Sequence, residues 1–92
     1  MQTDTRYNGW TNYATWRVNL EMFDGTHPRD IAGDGYDAPH ELAPTLRAYA
    51  EELIELSSDA GLARDYALAF LSDVDWREIA AHMIDAYADQ DA

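Results

Sequence analysis

A chain of 92 residues forms one domain, long enough to bury roughly 60 to 65 per cent of its unfolded surface around a single core. Without cysteine there is no disulfide framework, no thiolate nucleophile and no cysteine-based zinc site. Eighteen Asp and Glu face six basic residues, all arginine, for a formal net charge of -12. This excludes direct binding to nucleic acid or to an anionic membrane, both of which need positive potential, and leaves a basic partner or plain solubility.

Residues 1–6 are polar and aperiodic, as expected of a loose tail. No apolar leader is present, and no run approaches the ~18 apolar residues of a membrane span. The expected location is therefore the cytoplasm. The stretch from Tyr7 to Phe23 holds two of the three tryptophans and two of the six tyrosines and is the densest source of burial. Asn8-Gly9 is a turn dipeptide, and Thr11 can cap a helix. Tyr13, Trp16, Leu20 and Phe23 then recur at steps of three or four, which predicts a helix over 11–23 with those residues on its inner stripe. Asn12, Thr15 and Asn19 fall off that stripe, and Arg17 and Glu21 are spaced to pair. Asp24-Gly25 ends the helix.

The segment 26–39 is rich in Gly, Pro and Asp and reads as a loop, with Ile31 and Tyr36 as anchors. Leu42, Leu46, Tyr49, Leu53 and Leu56 then step like the seam of a second helix. Pro44 belongs in a first turn, so this helix is expected to start there, after a separate turn over 39–43. A third helix over 61–71 would turn Leu62, Tyr66 and Phe70 inward, with Leu68 and Leu71 flanking. In V-D-W-R-E-I, Asp75 followed by Glu78 resembles a capping box, and Val74 and Ile79 are placed for the hydrophobic staple. The fourth helix starts there, with Trp76, Ile79, Ala80, Met83 and Tyr87 inside, and loosens over 88–92. The whole is an all-α bundle of about four helices, its core joining the first and last through Trp16 and Trp76.

Few residues arrange themselves for chemistry. Glu78, His82, Asp85 and Asp89 share one face of the last helix, a spacing that suits a divalent metal or an acid and base pair. With no second element converging on them, a solvated polar face explains the pattern. The Asp30, Asp34 and Asp37 cluster fails the calcium-loop arrangement. His27 and His40 belong to no metal motif, and Ser57, Ser58 and Ser72 stand at helix boundaries, where capping accounts for them. No phosphate loop, basic stripe or lysine is available. The residues thus indicate neither catalytic site, metal nor cofactor, and a binding protein is expected in place of an enzyme. Trp10 and Tyr36 are the aromatic residues best placed for an exposed contact.

The N-terminal N-G-W-T-N-Y-A-T-W and the C-terminal V-D-W-R-E-I-A resemble a family of small, mostly uncharacterised proteins carried by phages, plasmids and other mobile elements. The resemblance implies a host-cell setting and supplies no catalytic residues. By analogy, small acidic proteins from that setting include anti-CRISPR and antirestriction inhibitors that imitate DNA. The partner would then be the basic surface of a nucleic-acid-binding complex. Its contacts would be Glu51, Glu52, Glu55 and Asp59 on or beside the second helix, and Asp73, Asp75, Glu78, Asp85 and Asp89 on or near the fourth. An acidic adaptor without mimicry is the alternative, and the oligomeric state stays open.

Overall fold

The computed structural model describes residues 7–33, 36 and 38–88; the expected loose ends apart from Ala88, and Asp34, Asp37 and Asp89, lie outside them. The described residues contain five helices: α1 (Tyr13–Val18), α2 (Arg29–Ala32), α3 (Pro39–Ser57), α4 (Leu62–Phe70) and α5 (Trp76–Ala86). No strand is present among the described residues, and the all-α reading is correct.

The chain enters through a tight hairpin turn. Tyr7 and Trp10 exchange backbone hydrogen bonds of 2.8 Å in both directions. Asn8 and Gly9 between them have φ of 49° and 88°, the left-handed pair that an Asn-Gly turn adopts most readily. Asn12, not Thr11, then caps α1, accepting from the Thr15 N–H at 2.9 Å. After Val18 the helix widens into a π-helical turn over Asn19–Phe23, closed by Asp24 N–H on the Asn19 carbonyl at 2.7 Å. Gly25, at φ 79°, takes the chain out of it.

The expected stripe on this helix is rotated. Ala14, Thr15, Val18, Asn19 and Phe23 are buried, whereas Tyr13 is 43% exposed, Leu20 is exposed and Trp16 is half-buried. The small and polar side was chosen for burial because α1 lies close to the start of α5, and its polar side chains bond there. Of the former stripe only Phe23 reaches the core, where its ring meets Trp76 edge-on at 6.4 Å. Trp16 instead stacks on Tyr7 at 4.8 Å. The two helices are therefore joined through Phe23 and Trp76, not through Trp16. The Arg17–Glu21 pair forms as expected, at 2.5 Å.

Within the segment expected to be a loop, α2 makes one turn, and Ile31 and Tyr36 pack partly buried against the core as anticipated. Helix α3 begins at Pro39, five residues earlier than expected, and carries Pro44 inside it. Pro39 suits the first helical position, and the Glu41 carboxylate accepts the Ala38 N–H at 3.0 Å. The cost of Pro44, about 3 kcal/mol in a helix interior, is offset by burial of Leu42 and Ala43, which a separate turn would not place.

Helices α3 and α5 form the central pair. Leu42, Leu46 and Ala50 of α3 meet Trp76, Ile79, Ala80 and Met83 of α5, with Val18, Phe23, Leu71 and Val74 closing the core. Phe23, Leu42, Leu46, Leu71 and Ile79 are fully buried, each worth about 1.5 to 3 kcal/mol on burial. Against a net stability of about 5 to 15 kcal/mol for a small domain, truncating any one removes a large share. Leu56, expected in the seam, is 78% exposed at the end of α3.

Helix α4 reverses the expected face. Leu68 and Leu71 turn inward, while Leu62 and Tyr66 are 68% and 70% exposed and Phe70 is 38% exposed. The helix is fixed by Arg64, whose guanidinium donates to the Glu55 carbonyl at 2.8 Å and to the Ser58 carbonyl. Those carbonyls belong to the end of α3, where a cation is favoured by the helix dipole as well. This anchor sets the rotation of α4.

Candidate functional site

The two sequence motifs meet each other. Thr15, fully buried, accepts the Asp75 N–H at Oγ1 over 2.8 Å and donates to Asn12 Oδ1 over 2.7 Å. Asn12 Nδ2 donates to the Asp73 carbonyl at 2.8 Å. Thr11 donates its backbone N–H to Glu78 Oε1 at 2.9 Å and its hydroxyl to Asp75 Oδ2 at 3.3 Å. Asp75 Oδ1 in turn caps α5 by accepting the Glu78 N–H at 3.1 Å. In an ordinary capping box the glutamate reaches back to the cap residue's own N–H. Here that N–H goes to Thr15 and the glutamate to Thr11, so the N-terminal segment completes the box of the last helix.

This interlock assigns Asp75 and Glu78 to the fold. Their carboxylates hold the N-terminal segment, and both residues are half-buried beneath it. The polar face of α5 is divided by the same segment. His82 lies against the Trp10 ring at 4.9 Å, above a shallow depression of about 240 Å³ lined by Asn8, Gly9, Trp10, Glu78 and His82. Among the described residues no group of three or more His, Asp or Glu converges to hold a metal ion. His27 stacks on Tyr87 at 4.7 Å.

The remaining carboxylates separate into two groups. On α3 the side opposite Leu42, Leu46 and Ala50 carries exposed Glu52 and Glu55, with exposed Asp59 just past the helix end. Glu51 is half-buried and pairs with Arg47 at 3.3 Å, so it adds little net charge. Asp85 is exposed on α5 but on the side turned away from α3, and Asp73 is exposed on the turn before α5. They do not extend the α3 group into one ridge.

Trp10 and Tyr36, expected as exposed contacts, both pack partly buried against the core. The exposed aromatic surface among the described residues lies elsewhere, at Tyr7, Tyr13, Tyr66 and Phe70. Its signal in the sequence is L-A-R-D-Y-A-L-A-F, apolar all round except for Arg64 and Asp65. No helix among the described residues is long and apolar enough to cross a membrane.

No curated protein and no solved structure matches the chain. A family model does match, over residues 3–89, and by that match the chain belongs to DUF7249, a family of unknown function.

Proposed function

We propose that this protein is an acidic inhibitor carried by a mobile element, acting on a host nucleic-acid-binding complex of the CRISPR or restriction kind. It binds in the host cytoplasm by protein–protein contact and performs no chemistry of its own. The observation that carries this reading is the solvent side of α3, where Glu52 and Glu55 stand exposed with Asp59 beyond them. Nineteen helical residues make a rod about 28 Å long, with the Cβ atoms of carboxylates three or four apart on it separated by about 5 to 6 Å. Duplex DNA presents a phosphate every ~3.4 Å along each strand. A helix of this kind fits a groove built for a phosphate backbone, and basic side chains there would pair with it.

The test is capture from a host lysate on immobilised protein, followed by elution. A nucleic-acid-binding complex should be retained at 0.1 M salt and released by duplex DNA or by about 1 M sodium chloride, where screening is nearly complete. Retention of proteins that neither DNA nor salt releases would contradict the reading. That outcome would favour an acidic adaptor, which the exposed apolar side of α4 also supports.

A further inference from the structure

A helix that is apolar on every side is normally buried on every side. Helix α4 breaks this rule. Ala67 and Leu68 face the body of the protein, yet Leu62, Tyr66 and Phe70, one turn apart, form a second apolar side that faces solvent, and none of its nine residues is fully buried. Tyr13 of α1 continues this side, its ring 6.4 Å from Phe70 and edge-on to it. Behind Phe70 a groove of about 210 Å³ runs between α1 and α4, with Val18, Met22, Ile54 and Leu71 in its walls. With aromatic side chains presenting 150 to 250 Å² each, the exposed patch is on the order of 400 Å². That is the size of the largest, often functional, patch on a monomer.

The charges around the patch select its occupant. Asp65 lies beside Tyr66 and is exposed, while Arg17 and Glu21, which both line the groove, pair with each other. The two arginines nearby are already engaged, Arg17 by Glu21 and Arg64 by the end of α3. A second copy would bring another chain of net charge -12 against this rim, and repulsion opposes that pairing. We propose that the α4 face is a docking site for an amphipathic helical segment of another protein, with aliphatic or aromatic anchors flanked by Arg or Lys. The anchors take the groove between Phe70 and Met22, and a flanking cation faces Asp65. This contact is separate from the α3 face and does not rest on it.

A 14-residue amphipathic peptide of leucine and lysine serves as the probe, with a leucine and glutamate peptide as its charge-swapped control. Backbone amide shifts are followed on the full chain. The lysine peptide should move Tyr13, Leu62, Tyr66 and Phe70 and bind at least tenfold tighter than the glutamate peptide. Leu62→Ser with Tyr66→Ser should weaken it at least tenfold, whereas Glu52→Lys with Glu55→Lys should change it less than threefold. Both altered positions are exposed, and Tyr66→Ser alone, melting like the wild type, separates loss of contact from loss of fold. Shifts confined to the outer side of α3, or equal binding of both peptides, would overturn the proposal. A dimer in sedimentation that Tyr66→Ser dissociates would give the face to a second copy. Movement of those four resonances on removing residues 2–6 would give it to the chain's own N-terminus.

Discussion

Replacing Thr15 by valine keeps the shape of the side chain and removes its hydroxyl, and with it two of the bonds that tie the first motif to the last. The Asp75 N–H loses its acceptor at 2.8 Å, and Asn12 Oδ1 loses a donor at 2.7 Å. A buried donor left without a partner costs about 1 to 3 kcal/mol, and the second bond adds about 1. The expected loss is therefore roughly 2 to 4 kcal/mol, against a net stability of about 5 to 15. Thr15→Ser keeps the hydroxyl and loses one methyl, about 1 kcal/mol. In thermal unfolding, at 4 to 8 °C per kcal/mol for a domain of this size, valine should melt roughly 8 to 32 °C below the wild type and serine within about 8 °C. A valine variant as stable as the serine variant would refute the interlock.

Pro44→Ala should raise stability by about 1 to 3 kcal/mol, because the proline sits inside α3 and removes a helical hydrogen bond; a loss in urea unfolding would mean that the helix starts at Pro44 after all. Asn19→Leu should be neutral or stabilising. Asn19 is buried and, among the described residues, its Oδ1 has no hydrogen-bond partner, and an apolar group of similar size avoids that desolvation. A loss above about 1 kcal/mol would show a bond at that oxygen. Sodium chloride should raise the melting temperature, since a net charge of -12 repels itself and the Debye length falls from ~10 Å at 0.1 M to ~3 Å at 1 M. A flat or falling trend would mean that attractive pairs such as Arg17–Glu21 dominate.

What could be read from the sequence was local, and what could not depended on distant partners. Asp75 and Glu78 announce the start of α5 because a cap acts within one turn of chain. Nothing local says that Thr11 and Thr15, sixty residues earlier, complete that cap. On α1 the large aromatic residues suggested the buried side, but the close approach to α5 favours small Ala14 and hydrogen-bonding Thr15. Pro44 argued for a late start to α3 through a cost that burial of Leu42 and Ala43 outweighs. Apolar residues on both sides of α4 left its rotation to be decided by Arg64 on the end of α3, a contact that periodicity does not encode. The carboxylates of the candidate site were each visible, but their sorting into an interlock, an α3 face and an α5 face follows only from how the helices pack.

The claim that the outer side of α3 is the functional contact is tested most directly by association kinetics with the captured complex. Glu52→Lys with Glu55→Lys, and separately Asp24→Lys with Asp30→Lys, each shift the net charge by four from -12 at exposed positions, so bulk charge is matched. Lysine is as good a helix former as glutamate, and α3 should stay intact. The α3 pair should slow association about tenfold or more and abolish inhibition, while the second pair should change the rate by less than about threefold. Equal slowing by both pairs, or full inhibition by the α3 variant, would contradict that claim.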